Sequence, residues 1–397
     1  MDHVIYAWAM SGDRAFDCVI VGAGIVGLAH ALAASRAGLR TAVIDRDARA
    51  VGASVRNFGF VTVTGQQEGI IWRRALRSRD IWAEIVGAAG IEVLHRGLLV
   101  AARRAEALTV LEEFAAGPMG AGCRVLRPDA LAEAAPRLTG PLVGALYSPH
   151  ELRVESRSAI PKLTAWLADA HKVQFMPRVA ALAVEPGRVI TPAGPIRGEH
   201  VVVCPGTDLV TLFPEITARR GITLCKLHML RLADPGHRLP AAVMSDLGLV
   251  RYLGYQTPSL PALRARLEQE QAALLADGIH LIVVQGADGS LVVGDSYHYA
   301  DAPDPFQPRE VDDRILQEFA AVIGTPPEVI ERWVGVYPSG PDIAFTETPA
   351  AGVRLVMVTS GTGASTAFAL AEETMADLLG RSRPPHVNQG TRTCSKP

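Results

Sequence analysis

Val19–Arg46 reads VIVGAGIVGLAHALAASRAGLRTAVIDR, and this stretch decides the fold. Just before and into it, Asp17–Val21 (DCVIV) has the apolar continuity of a buried strand. Gly22, Gly24 and Gly27 follow in G-x-G-x-x-G spacing, with Ala23, Ile25 and Val26 between them, and lead into a helix reaching about Ala37. The first glycine permits a tight turn, the second lets a pyrophosphate approach the backbone, and the third lets helix and strand pack closely. The free N–H groups and positive end of the helix then face the phosphates. Gly38 stops the helix, Thr41–Ile44 (TAVI) makes a second parallel strand, and Asp45 stands at its end, where a carboxylate holds a ribose hydroxyl pair. A glycine run alone could be a loop. With strand, helix and terminal acid in order, it is a dinucleotide-binding βαβ unit.

The chain has 397 residues, 49% hydrophobic and 20% charged, the composition of a compact protein with room for two connected domains. Its net charge of −2 gives no basic field for nucleic acid or a membrane surface. Cys18, Cys123, Cys204, Cys225 and Cys394 are odd in number, scattered and without a C-x-x-C pair. That pattern fits a reducing, cytoplasmic setting with neither a disulfide frame nor a metal site. Val4–Met10 (VIYAWAM) is apolar but short and lacks a basic flank, so it reads as neither signal peptide nor anchor. Residues 1–15 are expected to be a flexible extension and 381–397 a flexible tail.

Farther along, Gly52–Gln66 (GASVRNFGFVTVTGQ) is a polar, glycine-punctuated segment of the kind that lies over a ligand. Ile70–Ile85 has helical periodicity, with Ile71, Ala75, Ile81, Trp82 and Ile85 inward and its arginines on a solvated face. Strands are expected at Gly97–Ala101, Leu142–Tyr147, Val173–Phe175 and His200–Cys204, and helices at Ala105–Ala116, Asp129–Ala134 and Glu155–Ala170. The strand ending in Cys204 runs into Pro205-Gly206, where a doubly wound sheet closes its ligand crevice.

The pattern then changes to a sheet-rich insert. Ile222–Leu232 alternates, with Cys225, Leu227, Met229 and Arg231 on one face and Lys226, His228 and Leu230 on the other. Leu249–Tyr255, His280–Gln285 and Ser290–Asp295 read as strands, and Ser259–Leu275, Val311–Ile323 and Glu328–Arg332 as helices. Val353–Thr359 is a buried strand, Ser360–Ser365 (SGTGAS) a glycine turn and Thr366–Leu379 a helix. That turn is a second helix start, at the far end of the chain from the first. One fingerprint at the head and a glycine-rich helix start at the tail suit a single large cofactor spanning the chain ends. FAD fits better than NAD, because the second helix end can stabilise negative charge on a reduced isoalloxazine.

From Asp17 to Gly380 the chain resembles the FAD-dependent D-amino acid oxidase, glycine oxidase and sarcosine oxidase superfamily. The resemblance is carried by VIVGAGIVGLAHALAASRAG with AVID, by ELRVESRSAIPKL and VVVCPGTDL, and by VMVTSGTGASTAFALAE. ASVRNFGFVTVTGQ, TLCKLHMLR and the tail motif are similar to the branch associated with aminophosphonate breakdown. The resemblance implies an α/β plus α+β protein: a Rossmann-like, glutathione-reductase-type FAD-binding domain (16–90, 150–215 and 338–380) interleaved with an antiparallel-sheet substrate domain (91–149 and 216–337). It also implies hydride removal from the carbon beside an amine nitrogen.

Departures from better-known members carry information. Gly335-Val336-Tyr337 stands where sarcosine oxidases have the flavin-linked cysteine, so FAD is expected to be non-covalent. Val292 replaces the lysine that promotes reaction with oxygen, and Gly59 and Ser365 fall where an arginine and a lysine clamp a carboxylate. The expected cofactor-facing set is Gly22, Ala23, Gly24, Ile25, Val26, Gly27, Asp45, Arg46, Ser54, Arg56, Asn57, Phe58, Gly59, Val179, Cys204, Gly206 and Gly361 to Thr366 (Gly361, Thr362, Gly363, Ala364, Ser365, Thr366).

The expected substrate is a small, anionic amine such as an N-methyl or 1-hydroxy derivative of 2-aminoethylphosphonate. Buried anions need donors, and Arg56, Lys226, His228, Arg251, Tyr252, His298 and Tyr337 are the candidates, with Arg56, Lys226, His298 and Tyr337 the catalytic ones. Two alternatives stay open: an ordinary glycine, sarcosine or D-amino acid oxidase, and a flavin-binding or electron-transfer protein without amine chemistry. The oligomeric state is also open.

Overall fold

A computed structural model describes residues 15–381. The expectations for residues 1–14 and 382–397 lie outside it. Ala15–Val21 pairs in parallel with Thr41–Asp45 on one edge and with Gly194–Val203 on the other. Gln174–Pro177 extends the sheet beyond Thr41–Asp45, and Val353–Ser360 extends it beyond Gly194–Val203. Their central residues (Val19, Ile20, Val43, Ile44, Val201 to Val203 and Leu355) are buried on both faces, which is why these strands read as unbroken apolar runs. The helices Ile25–Arg36, Ile70–Ile85, Ser156–Ala170 and Gly363–Leu378 contribute Leu28, Leu32, Trp82, Leu163 and Phe368 to the core on one side.

Ile70–Ile85 buries the residues its period picks out, together with Ser78. Of its arginines Arg73 is exposed, but Arg74 and Arg77 do not form a solvated face. Arg74 forks onto Glu373 (3.0 and 2.7 Å) and Arg77 onto Glu372 (2.9 and 2.7 Å), both on Gly363–Leu378. Sequence period cannot see an acidic partner about 300 residues away.

The chain's longest strand, Val329–Glu347, joins the two halves of the molecule. Its later residues pair with Val353–Ser360, and its earlier ones with Thr223–Leu232, antiparallel in both cases. From Thr223–Leu232 the sheet continues through Leu291–Gly294, Ile282–Gln285, Ala242–Ser245 and His95–Ala102 to Gly144–Arg153. The seventeen described strands form one connected, mostly antiparallel sheet in a mixed α/β fold.

Three expectations fail here. Glu328–Arg332 is not a helix but the start of Val329–Glu347, because pairing with Thr223–Leu232 overrides its local preference. Leu249–Tyr255 is not a strand; Asp246–Val250 and Leu253–Tyr255 are single 3-10 turns. Gly254 there lies so close to the Gly65–Gln66 backbone that a Cβ would sit 2.4 Å from Gln66 O. Ser259–Leu275 breaks into Leu260–Glu270 and Ala272–Ala276 at Gln271, whose side chain is held between Arg104 and Glu318.

Candidate active site

The glycine turn is built as its spacing requires. A Cβ on Gly27 would lie 1.8 Å from Gly22 O, and one on Gly22, whose φ is +104°, would lie 2.3 Å from Cys204 O. Asp45 Oδ2 accepts from the Ala23 N–H (2.7 Å), and Ser54 Oγ accepts from the Ile25 N–H (2.9 Å). Asp45 therefore fixes the turn from the end of its strand. Val179 donates its N–H to Asp45 O (2.9 Å), which places it beside the same acid. Arg46 turns outward into an ion pair with Asp208 (2.7 Å).

From this turn a cleft with an empty volume of about 1610 Å³, open mouth included, runs towards the Gly361–Ser365 turn. Along it stand Gly24, Ile25, Val26, Ser54, Arg56, Asn57, Phe58, Cys204 and Gly206, and at its far end Tyr337 and Gly361 to Ser365. Gly361 has φ +73°, and a Cβ there would lie 3.1 Å from the Tyr337 ring, so the ring rests on bare backbone. Gly59 has no room for a side chain, since its Cβ would lie 1.8 Å from Val154 O. Ser365 Oγ is occupied by the Thr62 N–H (2.9 Å). Neither position presents a cation.

Strand parity sorts the remaining candidates. Leu227 lines the cleft, so Lys226 and His228 project through the opposite face of Thr223–Leu232. Lys226 lies opposite His298, and Cys225 lies opposite Tyr299 on one edge and Tyr337 on the other. Directly paired residues share a face, so His298 leaves with Lys226, while Tyr299 and Tyr337 stay together. Lys226 Nζ donates to Asp304 Oδ2 and Phe306 O (3.0 Å each), and His228 Nδ1 lies 3.2 Å from Asp312 Oδ1. Lys226, His228 and His298 are thus corrected: they are structural residues behind the sheet, outside the cleft.

The polar residues that enter the cleft include Arg56, Gln66, Arg251, Tyr252, Asp295, Tyr297 and Tyr337. Arg56 has no side-chain partner among the described residues; its backbone N–H donates to Ala53 O (3.2 Å) and its carbonyl accepts from Trp333 Nε1 (3.0 Å). Arg251 donates to the Tyr299 hydroxyl (3.0 Å) and lies 4.2 Å from the centre of the Tyr297 ring. The Tyr337 hydroxyl is buried without a partner, and burial pushes it well above the ordinary phenol range, leaving a neutral donor. Asp295 is 3% exposed, and burial pushes its carboxyl up to about 8, offset in part by Arg251. Its Oδ1 lies 3.3 Å from Nδ1 of His280, which burial holds neutral, down to about 3. His280 Nε2 in turn faces the Tyr297 hydroxyl at 3.3 Å.

Residues 17–378 match the family model described as DAO, FAD dependent oxidoreductase. The chain belongs to this family. Among solved structures it is similar to glycine oxidase from Geobacillus kaustophilus (18% identity, 93% of this chain and 96% of that one, TM-score 0.73). It is similar also to iminodiacetate oxidase from Chelativorans sp. BNC1 (17%, 92% and 96%, TM-score 0.69). A third likeness is to the dithionite-reduced L-alpha-glycerophosphate oxidase from Mycoplasma pneumoniae with FAD bound (13%, 94% and 97%, TM-score 0.70). A search of curated proteins returned no match. At these identities the solved structures establish the shared fold.

The FAD cofactor of the family fits the residues present: a glycine cradle that any Cβ would fill, an acid beside it and a second glycine turn closed by Tyr337. Among the described residues no group of three or more His, Cys, Asp or Glu could hold a metal ion. Also among them, no helix is long and apolar enough to cross a membrane. Asp295, Tyr297 and Gln66 line the cleft, with His280 behind Asp295 and Tyr297, and none of these four is among the candidates drawn from the sequence. A signal for two of them exists: in DSYHY, Asp295, Tyr297 and Tyr299 alternate, so one face of that segment is polar and aromatic.

Proposed function

We propose that this FAD-dependent oxidoreductase oxidises the C–N bond of a small aminoalkylphosphonate, of the N-methyl or 1-hydroxy 2-aminoethylphosphonate type, to an imine that water hydrolyses to a phosphonate aldehyde and an amine or ammonia. The reading rests on one observation: Arg56, whose guanidinium has no partner among the described residues, and Arg251 reach one cleft in which Gly59 and Ser365 supply no cation. Two arginines suit a dianion, which accepts several charge-assisted hydrogen bonds. The amine-acting enzymes among the similar structures support the reaction class.

When bound, the flavin supplies the hydride acceptor, so the protein needs no strong base at carbon. Gly22, Gly24 and Gly27 would hold the pyrophosphate, Asp45 the ribose, and the Gly361–Ser365 turn with Tyr337 the ring. We assign no covalent tether, because Gly335-Val336-Tyr337 lacks a cysteine. Arg56 and Arg251 hold the anionic end and so orient the substrate. Tyr252 and Tyr337 close the walls and limit water. The parallel-sheet half is read as a glutathione-reductase-type Rossmann domain and the antiparallel half as the substrate domain, with the boundaries given above. A cytoplasmic setting is supported by the free thiols of Cys18, Cys123, Cys204 and Cys225.

The test is anaerobic addition of candidate amines to the purified flavoprotein. Bleaching by aminophosphonates supports the reading. Bleaching by glycine, sarcosine or D-amino acids without it replaces the substrate class, and no bleaching by any amine replaces the reaction class.

A further inference from the structure

Asp295 is an unusual residue to find inside this cleft. It follows directly on Leu291–Gly294, lines the cavity and is almost wholly buried, yet its Oδ1 has no hydrogen-bond partner. The nearest ring, His280, lies at 3.3 Å but outside hydrogen-bond geometry, and is itself buried and neutral. A buried carboxylate oxygen without a donor is costly, and sites that keep one keep it for a ligand. The other charged and titratable groups around it are Arg251, Tyr252 and Tyr297, with Cys225 and Tyr299 farther off, so no protein ammonium or second carboxylate competes for it.

The arrangement is polarised. Arg251 and Arg56 are exposed at the mouth, whereas Asp295 sits inside. An anion at the arginines points the other end of a short molecule inward, to the carboxylate.

We propose that Asp295 binds the amino nitrogen of the substrate and takes up its ammonium proton. In this step one N–H bond of the ammonium breaks and an O–H bond forms on the Asp295 carboxylate; the electron pair left on nitrogen is the lone pair a departing hydride requires. This inference rests on the amine-oxidation reading above and names the residue that selects an amine over an alcohol.

The test compares isosteric pairs in each anion series on FAD-loaded protein: 2-amino-1-hydroxyethylphosphonate against 1,2-dihydroxyethylphosphonate, and glycine against glycolate. Binding is read from the perturbation of the flavin spectrum under anaerobic conditions. Wild type should prefer the amine at least about tenfold, the discrimination expected when a buried carboxylate meets a neutral hydroxyl in place of an ammonium. Its affinity for the amine should rise up to about tenfold per pH unit until Asp295 is ionised near pH 8, then level off. Asp295→Asn should abolish both the preference and the pH dependence while keeping its FAD content and its affinity for the hydroxyl compound.

An amine preference that survives in Asp295→Asn, or no amine preference in either series, overturns the assignment. If only the carboxylate series shows the preference, the phosphonate reading falls and Asp295 keeps its role. If aminophosphonates reduce the flavin but Asp295→Asn behaves as wild type, the reverse holds.

Discussion

Asp45 Oδ2 accepts a hydrogen bond from the Ala23 N–H at 2.7 Å, so the acid at the end of the second strand holds the glycine turn in shape before any ribose is bound. Asp45→Ala strands that N–H and removes the acceptor for a ribose. We expect about 10- to 100-fold weaker FAD binding, the loss of about one or two charge-assisted hydrogen bonds. Titration of the apoprotein with FAD checks it, and wild-type affinity in the variant would contradict it.

Arg74 and Glu373 form a two-pronged ion pair between Ile70–Ile85 and Gly363–Leu378, with side-chain exposures of 15% and 5%. Removing the arginine takes away two charge-assisted hydrogen bonds that tie the helices together in a largely dry place. Arg74→Ala should destabilise the protein by about 1–3 kcal/mol, measured by urea unfolding, whereas Arg73→Ala, on the exposed side, should change it by less than about 0.5 kcal/mol.

Lys226 is spent on Asp304 and Phe306 behind the sheet. Lys226→Met should therefore lower the melting temperature yet leave the rate of anaerobic flavin reduction within about twofold. A large kinetic loss with unchanged stability would place Lys226 at the substrate after all.

The contrast between Lys226 and Tyr337 shows what sequence can and cannot carry. The head βαβ unit and the tail turn are legible because each is local: glycine spacing and strand periodicity report on backbone that must bend or bury within a few residues, whereas Tyr337 enters through the family resemblance. The alternation of Ile222–Leu232 separated Leu227 from Lys226 and His228, but both faces of this strand are buried, so the pattern did not say which face meets the cleft. The register Lys226–His298 and Cys225–Tyr337 settles that, and register is non-local. Glu328–Arg332 was misread for the same reason. Asp295 is missed because a lone acid closing an apolar strand carries no local sign of the cavity around it.

Asp295 and His280 also give the free protein a pH signature. Asp295 titrates near 3.8 when unfolded and about 8 when folded, so its stabilising contribution is complete below pH 3.8 and is lost as pH rises to about 8. His280 is the opposite: ordinary near 6.5 and about 3 when folded, it destabilises as pH falls from 6.5 to 3. Between about pH 4 and 6.5 the two cancel, and between 6.5 and 8 the Asp295 slope stands alone. Asp295→Asn should remove the loss of stability above pH 6.5 and expose a rise between about pH 4 and 6.5. Thermal melts across this range check it; identical profiles for the two proteins would contradict it.

In the proposed reaction an aminophosphonate is the reductant of this flavoprotein. The direct measurement is stopped-flow, anaerobic mixing of the FAD-loaded protein with 2-(methylamino)ethylphosphonate, the 1-hydroxy derivative of 2-aminoethylphosphonate, sarcosine and glycine at equal concentration. Fast bleaching by an aminophosphonate is expected, with the matching phosphonate aldehyde as product, and bleaching at least about tenfold slower by the amino acids. Bleaching by the amino acids with none by either aminophosphonate would contradict it.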